Sequence, residues 1–267
     1  MHQIFTKVKT YNYKNITVSF SEAGKGSTLL FLHGFLENHS LWNKVAAHFS
    51  QKYRVITVDL LGHGDTGCTG YVHTMEDHAD MLFGLISHLR LRKINIVGHS
   101  MGGYIGLAFA ELYPDHVKSL TLVNSTSRAD SEERKINRDR AMDVVKKNAS
   151  TFIRMATQNL FDAPTHARIQ DQIDLFTKEA LKTPLQGVIA SLQGMKIRMD
   201  REALLHFGPY PKLIIAGEKD TVMPLDDLKE ETYGTEVKLE VIPSGHVAPL
   251  ETPELVIEKL KSFLKAL

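Results

Sequence analysis

Apolar positions along the chain fall into two rhythms. Runs of four or five mostly β-branched or leucine residues recur at Thr28–Leu32, Arg54–Val58, Ile94–Val97, Leu120–Val123 and Leu213–Ala216. A run with little polar alternation reads as a strand covered on both faces, the condition of a parallel sheet between layers of helix. Lys14–Phe20 alternates and reads as a half-exposed strand, while Lys238–Ile242 reads as a last, more exposed one. Between these runs apolar residues return at helical spacing. Thr74–Leu91 starts with a capping pattern, Thr74 followed three residues later by Asp77, ahead of Ala79, Leu82, Leu85, Ile86 and Leu89. Ser100–Tyr113 and Pro253–Leu267 are also helical, the second with Thr252 as N-cap and proline in its first turn. Strand–helix alternation of this kind predicts an α/β fold with a doubly wound, mostly parallel sheet.

One stretch departs from the alternation. From Ser127 to His206 no buried strand is readable. Arg128–Lys147 mixes both charges densely, the composition of a solvated helix face. Phe152, Met155, Ala156 and Leu160 then recur at helical spacing, and further helical patterns cover Ile169–Leu181 and Leu185–Ile197. The expected organisation is a core of residues 1–126 and 207–267 with a helical insertion, residues 127–206, over the carboxyl edge of the sheet.

Composition narrows the partners. With 267 residues, the chain is long for one domain at roughly 150 residues each, which the insertion accounts for. Lys+Arg 32 against Asp+Glu 31 leaves a net charge of +1, no field that would gather nucleic acid. No apolar run approaches the ~18 residues of a membrane span. The start, Met1–Lys7, lacks the apolar core of a secretory signal, and the single cysteine, Cys68, cannot close an intrachain disulfide. A cytoplasmic protein, monomer or homodimer, is expected.

The chemistry begins at Gly98-His99-Ser100-Met101-Gly102, a Gly-x-Ser-x-Gly pattern between a predicted strand and a predicted helix. A serine on such a sharp turn stands above the sheet, with small neighbours letting the backbones pass closely. Serine needs a base, and the base an orienting acid. His246, in the loop Pro243–Pro249 after the last strand, is the candidate base. Asp220 follows the strand Leu213–Ala216 and lies where catalytic groups of open α/β sheets collect; Glu218 is its local competitor. The chain order Ser100, Asp220, His246 is that of hydrolases with a nucleophile elbow. An oxyanion hole needs two amides: Met101, after the serine, and Phe35, in the loop His33-Gly34-Phe35, where Gly34 is expected to supply an unusual backbone conformation.

These pieces together resemble the α/β-hydrolase superfamily, in its serine esterase and lactonase-like branch. LLFLHGF, VDLLGHGDTG, INIVGHSMGG, LIIAGEKD and SGHVAPLETPE stand in the order of that family, from about residue 15 to the C-terminus. The resemblance implies a sheet of about eight strands, identifies residues 127–206 as a helical cap, and gives Asp59 and His63 scaffold roles. Haloalkane dehalogenases and epoxide hydrolases of this fold carry aspartate where this chain has Ser100. The menaquinone-pathway synthase carries arginine where Tyr104 stands, and carbon–carbon-bond hydrolases often carry asparagine in place of His99. Val123-Asn124-Ser125-Thr126 and Gly194–Asp200 resemble enol-lactonases.

The expected activity is hydrolysis of a small-molecule carboxylic ester or lactone. The alternatives are carbon–carbon hydrolysis or a proton-abstraction lyase on the same scaffold, and a catalytically inert ligand receptor. No zinc-type ligand spacing, phosphate loop or dinucleotide fingerprint occurs, so neither metal nor cofactor is expected. Trp42, Phe152, Met155, Leu160 and Leu192 are candidates for an apolar pocket, with core packing as the open alternative. Arg154 and Arg198 have the charge for a substrate carboxylate, but an exposed helix-face role is expected of them.

Overall fold

The strand Thr28–Leu32 is buried along its whole length, and its side chains divide between two cores. Leu30 and Leu32 join one apolar cluster, Leu29 and Phe31 the other, as the two-residue period of a strand requires. The same division runs through its neighbours and makes this a sheet covered on both faces. The computed structural model describes residues 8–267, so the expectation attached to Met1–Lys7 lies outside the described residues.

Among the described residues eight strands form one sheet: β1 (Val8–Tyr13), β2 (Ile16–Ala23), β3 (Thr28–Leu32), β4 (Arg54–Val58), β5 (Ile94–His99), β6 (Val117–Val123), β7 (Lys212–Gly217) and β8 (Lys238–Ile242). Their spatial order is β1-β2-β4-β3-β5-β6-β7-β8. The pairs β1–β2 and β2–β4 are antiparallel, and every pair from β4 to β8 is parallel. Helices α1 (Asn43–Phe49), α2 (Met75–His88) and α3 (Met101–Leu112) precede β6, with a 3-10 turn at His39–Trp42. Between β6 and β7 lie α4 (Glu132–Lys147), α5 (Ala149–Gln158), α6 (Ala163–Ala180), α7 (Leu185–Lys196) and α8 (Glu202–Phe207). The chain closes with α9 (Leu225–Thr232), α10 (Ala248–Glu251) and α11 (Pro253–Lys265).

Helices α2 and α3 cover one face of the sheet, through residues such as Leu82, Ile105 and Phe109; α1 and α11 cover the other, through Val45, Phe49, Val256 and Leu260. Burying each such side chain favours folding by ~1.5–3 kcal/mol. The capping box at α2 is present: Thr74 accepts from the Asp77 amide, and the Asp77 carboxylate accepts from Thr74. At α11 Thr252 occupies the N-cap position without a side-chain cap bond, and its hydroxyl is buried with no partner among the described residues. Helix α6 begins before the expected Ile169 and is kinked there, with φ −132° and ψ 31°.

The inserted helices are anchored to the sheet domain at several points. His73 donates its amide to the Ala190 carbonyl at 3.0 Å, Arg201 pairs with Glu76 and Glu111, and Arg168 donates to the Glu251 carbonyl at 2.9 Å. Arg198 differs from the expectation of an exposed helix face. It is buried, pairs with Asp130 at 2.6 Å, and its guanidinium lies over the Tyr104 ring, 4.0 Å from the centroid. Arg154 is exposed as expected. Among the described residues no helix is long and apolar enough to cross a membrane.

Candidate active site

Strand β5 ends in the turn that carries Ser100. The serine adopts φ 49° and ψ −117°, a conformation that a side chain enters only at a cost of ~1–3 kcal/mol. The surroundings hold it there: its amide donates to the Val123 carbonyl at 3.0 Å, and its carbonyl accepts from Ser125 Oγ at 2.7 Å. A Cβ on Gly98 would collide with the backbone of Gly102, and one on Gly102 with the carbonyls of Leu32 and His33. The small residues flanking the serine are therefore a packing requirement of the turn. Helix α3 begins at Met101 and directs its free first-turn amides back toward Ser100.

The loop after β8 brings His246 to this serine across 146 positions of sequence. His246 Nε2 lies 3.0 Å from Ser100 Oγ, and Nδ1 lies 3.0 and 2.8 Å from the two carboxylate oxygens of Asp220. Asp220, at the end of β7, is 5% exposed and also accepts the amides of Val222 and Met223 and the side chain of Asn124. Burial alone would raise its pKa, but the His246 ring, those amides and Asn124 together hold the carboxyl below its ordinary value. An ionised Asp220 can only accept, so the proton of His246 sits on Nδ1 and Nε2 is free to accept from the serine hydroxyl. Glu218, the rival acid, is exposed.

Two further loops close around the serine. Neither the Phe35 nor the Met101 amide donates to a protein acceptor among the described residues. Gly34 is not in the left-handed region; Leu36 is, at φ 62°. Glycine is needed at 34 for close approach, because a Cβ there would lie 2.8 Å from Glu37 Oε2 and 3.0 Å from His99 Nδ1. That observation exposes a pair invisible in the motif. His99 Nδ1 is 3.0 Å from Glu37 Oε2, the same oxygen accepts the Gly34 amide, and His99 Nε2 is 2.8 Å from the His246 carbonyl. The loop bearing His246 is also clamped by Glu251, whose two oxygens accept the amides of Gly245 and Val247.

Below the site, histidines act as acceptors. His33 Nε2 receives the Leu60 amide, His63 Nε2 the Leu36 amide, and His78 Nδ1 the Leu61 amide. Burial pushes all three pKa values down, that of His63 to about 3, and a neutral imidazole is what such an acceptor must be. Asp59 accepts from the His39 amide and ring at 2.8 Å and from the Asp65 amide at 3.1 Å, bracing the turn that contains His63. A Cβ on Gly64, at φ 53°, would collide with that carboxylate. Asp59 and His63 thus hold backbone.

A family model of the alpha/beta hydrolase fold matches residues 27–253. The chain belongs to this family. As an α/β hydrolase it resembles a thermophilic esterase from Thermogutta terrifontis, solved with malate bound, at 31% identity and a TM-score of 0.91 over 98% of this chain and 99% of that one. It is 27% identical over 267 residues to the 2-hydroxy-6-oxo-6-(2'-aminophenyl)hexa-2,4-dienoic acid hydrolase of Metapseudomonas resinovorans, covering 95% of this chain and 89% of that protein. It is also 28% identical over 252 residues, 92% of this chain, to the dihydrolipoyllysine-residue acetyltransferase component of the acetoin cleaving system of Pseudomonas putida. The chain spans 66% of the length of that component and 31% of a Mycobacterium tuberculosis relative. The family and its eight-stranded, mostly parallel sheet agree with the reading of the sequence, and the family supports a hydrolase.

In this α/β hydrolase the five apolar pocket candidates do not form one wall. Trp42 is fully buried against Phe31, ring centroids 4.9 Å apart, and belongs to the core behind β3. Leu192 is buried, and Phe152 half-buried, in the opposite cluster; Leu160 packs with the Trp42 cluster. Met155 is 59% exposed on α5 and faces solvent. The residues that the motif did not reveal are Glu37, His99, Asn124 and Glu251. The one signal for Glu37 was an acid three positions beyond Gly34, close enough to reach back to its amide.

Proposed function

We propose that the protein is a serine hydrolase of carboxylic esters or lactones, with Ser100 as nucleophile, His246 as general base and acid, and Asp220 as the orienting acid. The observation that carries this reading is the continuous contact from Ser100 Oγ through His246 to Asp220, at 3.0 and 2.8 Å. His246 Nε2 takes the serine proton as Oγ attacks the substrate carbonyl. The amides of Phe35 and Met101 stabilise the oxyanion, which forms while the proton stays on the imidazole. The imidazolium then protonates the leaving alcohol and the C–O bond breaks. A water deprotonated by the same histidine attacks the acyl-enzyme, and the acid leaves as Ser100 regains its proton. The steps draw on no cofactor. Residues 127–206 act as a cap that shapes the pocket, and a cytoplasmic location rests on the single cysteine.

The likeness to the thermophilic esterase supports ester chemistry, and small uncharged substrates fit the near-zero net charge. A panel of p-nitrophenyl esters and lactones of graded acyl length tests it, together with fluorophosphonate labelling. Turnover and labelling are expected in the wild type and lost in Ser100→Ala, with kcat for Ser100→Ala and His246→Ala lower by a factor on the order of 10⁴–10⁶. Wild-type activity in either variant overturns the mechanism. Turnover of vinylogous diketones alone would replace the ester with a carbon–carbon bond, and a folded wild type that never labels would leave an inert binder.

A further inference from the structure

Glu37 and His99 take no part in the contact from serine to histidine to aspartate, yet they lie directly against it. His99 is the residue before Ser100 and is fully buried, and Glu37 is 5% exposed. The ring of His99 lies 5.2 Å from that of His246, centroid to centroid, and is tilted by 51° to it. Both ring nitrogens of His99 face acceptors: Glu37 Oε2 at 3.0 Å on one side, and the backbone carbonyl of His246 at 2.8 Å on the other. A ring so flanked must hold a proton on Nε2 and another between Nδ1 and the carboxyl. The Gly34 amide donates to that same carboxylate oxygen and favours its charged form, so the second proton rests on the ring. Burial opposes both charges, but each supplies the other's counter-charge, holding the His99 pKa up and the Glu37 pKa down.

Through these bonds one buried pair ties together the loops after three strands. Glu37 fixes the peptide at Gly34, one residue before the Phe35 amide. His99 belongs to the turn that carries Ser100. Its other nitrogen holds the carbonyl of His246 itself. Each loop supplies one part of the reaction, and a shift of about 1 Å in such parts costs up to about a hundredfold in rate.

We propose that Glu37 and His99 are positioning residues for the hydrolysis argued above, an ion pair that keeps the Phe35 amide, Ser100 and His246 in register. The claim rests on the serine-hydrolase reading. Neither residue touches the reacting atoms; both act through the loops they join.

Glu37→Gln is the decisive variant, because it keeps the shape of Glu37 and removes the charge. Without that charge His99 keeps a single ring proton, and the side-chain atom now at the Oε2 position can bond to either Nδ1 or the Gly34 amide but not to both. The kcat for a p-nitrophenyl ester is expected to fall by about tenfold to a hundredfold, with KM changed by less than about twofold. Adding His99→Gln to Glu37→Gln should cost little beyond either single change, as for two residues acting as one unit. Nitrogen-15 NMR of the wild type gives a readout independent of activity and of how the variants fold: His99 should still show protons on both ring nitrogens at a pH above the ordinary histidine value of ~6.5. A singly protonated His99 there overturns the proposal, and so do additive losses in the double variant. Fluorophosphonate labelling separates the two readings. A wild type that does not label defeats the hydrolase reading, whereas a labelled wild type matched in rate by Glu37→Gln defeats the pair.

Discussion

Asn124 donates its side-chain amide to Asp220 Oδ2 at 2.8 Å, the carboxylate oxygen that also lies 2.8 Å from His246 Nδ1. The backbone of Asn124 sits at φ 48°, where asparagine is among the few side chains at ease, and the same amide donates to the Gly245 carbonyl at 3.0 Å. One residue at the end of β6 thus links Asp220 to the loop carrying His246.

Replacing Asn124 with glycine keeps the backbone conformation and deletes both bonds. The amide favours the ionised carboxylate, so its loss raises the Asp220 pKa. Activity that needs an ionised Asp220 then disappears at a higher pH as the solution is acidified. The expected outcome is an acid limb of kcat/KM displaced upward in pH, with ~1–3 kcal/mol lost in stability. An unmoved acid limb would show that Asn124 does not hold the Asp220 charge.

Glu231 predicts a pH dependence of the opposite sense. It is fully buried in α9; one oxygen accepts Thr126 Oγ1, Ser127 Oγ and the Ser127 amide, and the other has no partner among the described residues. Burial outweighs those donors and raises its pKa above the ordinary 4.5. The folded state therefore holds this proton more tightly than the unfolded chain does. The stability it contributes is present below the ordinary value and is lost as pH rises toward the raised one. Glu231→Gln, an isostere of the neutral acid, should remove that decline and match or exceed the wild type at neutral pH. Urea midpoints measured from pH 5 to 8 check this; a wild-type slope in the variant would refute it.

Asp130 sits between Arg198 at 2.6 Å and Arg138 at 2.7 Å, with its side chain wholly buried. Asp130→Asn leaves the Arg198 guanidinium buried beside a neutral partner, and is expected to destabilise the fold by about 3–5 kcal/mol in urea unfolding. Met155→Ser, on the exposed face of α5, should stay within about 0.5 kcal/mol of the wild type. Similar costs for the two would contradict the burial assigned to Arg198.

The parallel part of the sheet was legible because β3, β4, β5, β6 and β7 are largely buried, leaving continuous apolar runs in the sequence. Strand β1 was not, since only Tyr11 among its six residues is buried and no alternation marks it. Its turn into β2 is Lys14-Asn15, with Lys14 at φ 49°, and lacks the Asn-Gly or Asp-Gly chemistry that announces a hairpin. Lys14 consequently reads as strand when it is turn. The proposed catalytic residues Ser100, Asp220 and His246 were legible as candidates from strand ends and chain order. Glu37 was not, because its role depends on how closely Gly34 lets it approach His99, a distance that no spacing in the sequence encodes. Arg198 was misread for a related reason: its partners Asp130 and Tyr104 lie 68 and 94 positions away in the chain, beyond any helical period.

The 146 positions separating Ser100 from His246 have a consequence for how the molecule assembles. Loops after β5, β7 and β8 meet at one point, and among the described residues β8 pairs with β7 alone, which reaches the elbow strand through β6. The contact between Ser100 and His246 spans more than half the chain, and non-local contacts of this kind are slow to close. During refolding, helical signal can return while the serine still lacks its partner. Regain of activity is then a reporter of the docking of the C-terminal strand, set apart in time from the return of helical signal.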